Sequence, residues 1–133
     1  MILGVEPWAV LLAAFSSFVL GSLWYGFLFQ KVWCRETGTD PERPPPLLRT
    51  FGGAYGLSLV AAYMFARYLG PTPALPSAVQ TGLLAGLCWV AASFGMNYLF
   101  AQRSLKLFLL DGGYHTLQFM LYGLVLGSWS AVM

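Results

Sequence analysis

Charge is what this sequence has least of. Asp, Glu, Lys and Arg make up 9% of its 133 residues, while 58% are hydrophobic. An ordinary soluble domain is about one quarter charged. A soluble fold this small cannot hide so much apolar surface, so the expected solvent is the lipid bilayer. The formal charge is only +2, and no cluster of Lys and Arg forms a groove that could follow phosphates, which excludes nucleic acid as a partner. Cysteine is as sparse. Cys34 lies in a polar segment and Cys88 in an apolar run, so two free thiols are expected rather than a disulfide. With a single histidine beside them, the four ligands of a structural zinc site are lacking, and no metal and no cofactor is expected. The same count excludes a bis-His haem within one chain and leaves only a haem shared across a symmetric dimer. Phosphate-binding glycine loops, His-Glu-x-x-His and Gly-x-Ser-x-Gly are all missing, so an enzyme is not expected. No basic residue precedes Lys31, so the start of the chain does not read as a cleavable signal.

What is present is a series of long apolar runs. Four qualify as membrane spans, at about 7–30, 47–69, 77–101 and 104–131, within a single domain over 1–133. The expected fold is an all-α integral membrane protein, four transmembrane helices in an antiparallel bundle. Pro7 suits the first turn of the first helix. Gly70, Pro71, Pro73 and Pro76 break the apolar stretch after Arg67, and Ser77 with Gln80 has the spacing of a capping box that would open the third helix. The segment from Lys31 to Pro46 holds most of the charge and a triple proline, and reads as a solvated loop or an interfacial elbow.

Four spans place Lys31, Arg35, Arg43, Arg49, Arg103 and Lys106 on one face and only Arg67 on the other. The positive-inside rule then puts loops 31–49 and 101–106 in the cytoplasm and both termini outside. Trp8, Trp33 and Trp129 fall near the expected interfaces, as an aromatic belt does.

Lipid tails are as apolar as leucine, so helices in a bilayer associate through small residues that let backbones approach. Gly52 and Gly56, Gly82 and Gly86, and Gly123 and Gly127 are spaced by four on three helices; the first helix carries Ser16, Ser17, Gly21, Ser22 and Gly26. A tight bundle follows, with contacts within one chain or between copies, and a homo-oligomer is expected.

The fourth span carries the chemistry. Asp111, His115, Gln118 and Tyr122 are spaced by four, three and four, so they share one stripe of a helix. At 1.5 Å per residue Asp111 lies about 10 Å in from the helix start and His115 about 16 Å. Ionisable groups at that depth should face protein or water. Asn97 is the expected partner of Asp111, which could also share a proton with His115. One reading makes the stripe a proton or ion relay, or a substrate site; the other makes these residues interhelical hydrogen-bond glue. The pair Trp24-Tyr25 could support pigment or quinone contacts, and reads rather as lipid-facing bulk and interface anchor.

The stretch from Asn97-Tyr98-Leu99-Phe100 through Arg103 and Leu105-Lys106-Leu107-Phe108 to Asp111-Gly112-Gly113-Tyr114-His115, with Leu20-Gly21-Ser22-Leu23-Trp24-Tyr25 and Lys31-Val32-Trp33, resembles the bacterial domain-of-unknown-function family DUF 1761. The resemblance covers nearly the whole chain. It implies a small four-helix membrane protein and marks Asn97, Asp111 and His115 as motif positions, with no activity or substrate attached. Tyr25 to Lys31 and Tyr98 to Arg103 also read alike, each an aromatic, apolar run closing on Gln and a basic residue, as in a parallel repeat of two hairpins. The leading functional expectation is a homo-oligomeric transporter or channel for a proton, ion or small solute. The alternative is an accessory subunit of a larger membrane complex.

Overall fold

A computed structural model describes residues 4–43 and 45–132. Pro44, the first of the triple proline, lies outside them. The described residues form five helices and no strand. The first, α1, spans Pro7–Leu28 and takes Pro7 into its first turn, where a missing N–H costs nothing. Its last turn, Trp24–Leu28, widens into a π turn, and Phe29, at φ −125° and ψ 19°, breaks the axis. A short helix, α2 (Gln30–Thr37), follows and is closed by Gly38 at φ 75°, a left-handed cap that glycine adopts without a Cβ penalty. The Lys31–Pro46 segment is thus part helix, with Lys31 and Arg35 exposed and Trp33 half-buried.

A π turn over Leu48–Gly52 leads into α3, Gly53–Leu69. The next helix, α4, spans Leu75–Phe100 with a π turn at Gly86–Ala91. Its start corrects the capping-box expectation. The N-cap is Ala74, without a side-chain cap bond, and Pro76 occupies the first turn. Proline's fixed φ nucleates the helix two residues early, so Ser77 is already inside it. The last helix, α5, runs over Leu105–Val132. Ser104 caps it, its hydroxyl accepting from the Leu107 N–H at 3.1 Å.

Two of these helices, α1 and α4, are long and apolar enough to cross a membrane. Only 22% and 17% of their most apolar windows are buried within the chain, unlike the core helix of a soluble domain. In α5, Asp111, His115 and Gln118 lower the hydropathy; in α3, Arg67 and three tyrosines do so.

Packing centres on α5, which meets α1, α3 and α4, and most extensively α4. Two glycine pairs make that contact. A Cβ on Gly82 would stand 2.2 Å from the Phe119 carbonyl oxygen, and one on Gly123 2.2 Å from that of Ala78. Gly86 and Gly127 sit equally close to the Thr116 and Leu75 backbones, with Cβ positions 2.7 and 2.8 Å away. No side chain fits, and the two helices touch backbone to backbone. Gly21 does a related service on α1, accepting the Tyr114 ring, whose hydroxyl would lie 3.3 Å from a Cβ. The third pair behaves differently. A Cβ on Gly56 meets nothing within 4 Å, and one on Gly52 only Leu48 of its own turn. Among the described residues, Gly52 and Gly56 therefore pack against no other helix. Alanines fill the remaining interface of α1 with α3: Ala9, Ala13, Ala14, Ala62 and Ala66 are all buried.

Candidate functional site

The Asp111–Tyr122 stripe turns inward. Asp111 and Gln118 are buried, Tyr122 is fully so, and His115 is half-buried. The four residues divide into two separate hydrogen-bonded groups rather than one relay.

The first group surrounds Asp111. Tyr25 donates to its Oδ1 at 2.6 Å, and Tyr98 donates to its Oδ2. Both carboxylate oxygens are thereby occupied, and among the described residues no Lys or Arg forms an ion pair with it. The π turn at the end of α1 brings Tyr25 here, and beside it Trp24 donates its indole N–H to the Leu110 carbonyl at 3.0 Å. Trp24 and Tyr25 are thus half-buried anchors between helices, correcting their reading as lipid-facing bulk. Asn97 is corrected too. It is exposed, and its neighbour Tyr98 makes the bond to Asp111. One residue along a helix turns the side chain by about 100°, which is the distance between the expected partner and the actual one. Tyr25 and Tyr98 head the two similar stretches noted in the sequence, and they hold one carboxylate from opposite ends.

The second group runs from His115 towards α1. His115 Nδ1 lies 2.6 Å from Gln118 Oε1, Gln118 Nε2 donates to the Tyr122 hydroxyl at 2.7 Å, and that hydroxyl lies 2.6 Å from Ser58 Oγ. Ser58 Oγ in turn lies 2.8 Å from Ser17 Oγ, and Ser17 donates to the Ala14 carbonyl at 2.8 Å. Ser58 Oγ also lies 3.5 Å from the Ala14 carbonyl and the Tyr122 hydroxyl 3.4 Å from the Ser58 carbonyl, so the two serines and the tyrosine can share their protons in more than one order. The other end of the network has one direction. The Gln118 amide N–H donates to Tyr122, which leaves Oε1 facing the imidazole, and an oxygen that only accepts takes its proton from His115 Nδ1. Nε2 keeps its lone pair and makes no hydrogen bond among the described residues, where no sealed side-chain polar atom lacks a partner. His115 and Asp111 are not hydrogen-bonded to each other, so the shared proton expected at that spacing is absent. Phe94 stacks on the imidazole at 4.8 Å and 17°, fixing its plane.

Next to this network lies a cavity of about 780 Å³ bounded by α1, the start of α3, Val90 of α4 and α5. Its apolar walls include Phe18, Phe51, Ala54 and Leu57, and polar side chains reach it from several elements: Ser22 and Tyr25 of α1, Thr50 before α3, and Tyr114, His115 and Gln118 of α5. No Asp, Glu, Lys or Arg lines it. Tyr114 is held in place by donating to the Ser17 carbonyl at 2.9 Å. Ligand sites are commonly clefts of about 300–1,000 Å³ with apolar walls and a few fixed polar groups. Among the described residues no three His, Cys, Asp or Glu side chains gather to hold a metal ion. A second, smaller cavity of about 320 Å³ lies at the other end, between Val5, Ala66, Pro71 and Trp129. Sequence reasoning missed the cavity and the roles of Ser17, Ser58 and Tyr98. Ser17 and Ser58 are small residues in apolar runs, and their pairing with Tyr122 depends on how three helices meet.

The family model described as "Protein of unknown function (DUF1761)" matches residues 8–127. No curated protein and no solved structure matches the chain.

Proposed function

The chain belongs to the DUF1761 family, whose description names no activity, and we propose from its geometry that it is a small-solute binding protein of the membrane, a transporter or carrier with the 780 Å³ cavity as its site. The cavity carries this reading because it has the size, the largely apolar walls and the few polar groups of a ligand pocket. Proton conduction along the stripe is less well supported. The chain from His115 passes through a glutamine amide and ends on a backbone carbonyl, neither of which passes a proton on readily. Ion binding at Asp111 is opposed by the two tyrosine hydroxyls already on its oxygens.

In the same reading all four long helices span the bilayer, α2 lies at its surface, and the basic residues of loops 31–49 and 101–106 face the cytoplasm with both termini outside. Support comes from the exposed large apolar side chains, among them Phe15, Phe27, Val60, Met64, Trp89 and Leu124, and from the six-to-one placement of cations. The test is native mass spectrometry of protein extracted in mild detergent, as wild type and as Ala54→Trp, which fills the cavity. Wild type should carry or take up a lipid-soluble small molecule that the variant does not. Equal uptake by both would sink the proposal.

A second reading rests on Gly52 and Gly56, which no other helix covers among the described residues. They offer α3 to another helix, from a second copy or from a larger membrane complex. Gly56→Leu should then shift the assembly to smaller mass in native spectra. An unchanged mass would remove this reading.

A further inference from the structure

We infer that the cavity takes a neutral lipid-soluble alcohol or phenol, whose hydroxyl donates a hydrogen bond to His115 Nε2; the inference rests on the cavity being a binding site.

Three observations define this ligand. The first is charge. No ionisable side chain of Asp, Glu, Lys or Arg lines the cavity. Asp111 is bonded to the lining Tyr25 and has both oxygens occupied. An anionic head would find no cation there, and a cationic head would find no free carboxylate. Moving an unpaired charge into such a site is costly, so the ligand is neutral. The second observation is the direction of the bond at His115. Gln118 donates its N–H to Tyr122 and turns Oε1 to the imidazole. The imidazole donates through Nδ1, and its other nitrogen can only accept. The hydroxyls of Ser22 and Thr50 also line the cavity and can donate or accept, whereas Nε2 is satisfied by a donor alone. A molecule with an O–H satisfies it; a ketone or an ether does not. The third observation is shape. Most of the lining is apolar, including Phe18, Phe51 and Leu57, which suits an alkyl or aryl body attached to that hydroxyl. The Phe94 stack and the Gln118 bond hold the ring with Nε2 fixed in place, so the guest loses little by meeting a preorganised partner.

The experiment compares 4-pentylphenol, its methyl ether 4-pentylanisole, and 4-pentylbenzoate at pH 8, binding to the full chain in lipid nanodiscs. The phenol should bind about five- to tenfold tighter than the ether, the effect of one hydrogen bond, and the benzoate weakest of the three. In His115→Phe, which keeps a ring stacked on Phe94, the phenol–ether ratio should fall to that of empty discs. Should this variant fail to fold, wild type labelled with 15N-histidine decides. The unprotonated Nε2 resonance should move on adding the phenol and stay put with the ether. Equal affinity for phenol and ether in wild type, tighter binding of the benzoate, or a stationary Nε2 resonance would overturn the alcohol assignment while leaving the cavity as a site. Binding of all three that persists unchanged in Ala54→Trp, or no binding of any, would overturn the cavity reading itself.

Discussion

At the scale of single residues, the protein turns on hydroxyl groups brought to fixed acceptors. Tyr25 and Tyr98 each supply one donor to Asp111. Removing either hydroxyl leaves a buried carboxylate oxygen short of a partner, a loss of about 1–3 kcal/mol. Tyr25→Phe and Tyr98→Phe should each lower unfolding stability by that amount in a denaturant titration in detergent, and a loss below about 0.5 kcal/mol in both would show the bonds to be weak. Outside the membrane-spanning helices, Glu36 on α2 is held below the ordinary carboxylate range, first by the Ser104 hydroxyl and then by Arg35 and Lys106. A lowered folded-state pKa means a contribution present above the unfolded value and lost as pH falls through the folded one. Docking of α2 on the start of α5 should therefore loosen on acidification, read by Trp33 fluorescence, and Glu36→Gln should abolish that pH dependence. The stripe Asp111–His115–Gln118–Tyr122 was legible in the sequence because its spacing is a property of one helix. The partners of those residues were not. Asn97 and Tyr98 are adjacent in the chain and point in different directions, and the bundle alone chooses between them.

At the scale of helices, glycine spacing was legible and glycine partners were not. Three pairs share one pattern in the sequence, yet two make the contact of α4 with α5 and the third faces outward. The difference is measurable. Gly82→Ala and Gly123→Ala place a methyl against a carbonyl oxygen and should cost about 1–3 kcal/mol or more through overpacking. Gly56→Ala meets open space and should be neutral or slightly stabilising, as alanine is the better helix former. Loss of stability in Gly56→Ala equal to that in Gly82→Ala would contradict this division. The π turns at Trp24–Leu28, Leu48–Gly52 and Gly86–Ala91 were invisible to apolar periodicity, since one extra residue per turn leaves a uniformly apolar run unchanged. The turn at Trp24–Leu28 matters most, because it carries the tyrosine that reaches Asp111.

At the scale of the whole molecule, the four-span topology we propose makes its own prediction about the two thiols. Cys34 sits on α2 and Cys88 is exposed on α4. A membrane-impermeant maleimide added to intact cells should leave Cys34 unlabelled until the membrane is opened, and should not reach Cys88 even then, because lipid covers it. Labelling of Cys34 from outside would reverse the orientation. The sequence by itself determined the all-helical class, the family, and which stripe of which helix holds the ionisable pair. Apolar run length, charge scarcity and residue spacing are properties of a single segment and survive without its neighbours. The tertiary structure decided the rest: which tyrosines clamp Asp111, that His115 turns to Gln118 instead of Asp111, and that a cavity opens beside the imidazole. These depend on how closely α1, α3 and α4 approach α5. That approach is set by backbone contact at Gly82 and Gly123 and by the hydrogen bonds that tie Ser17, Ser58 and Tyr122 of three helices together, neither of which any one segment contains.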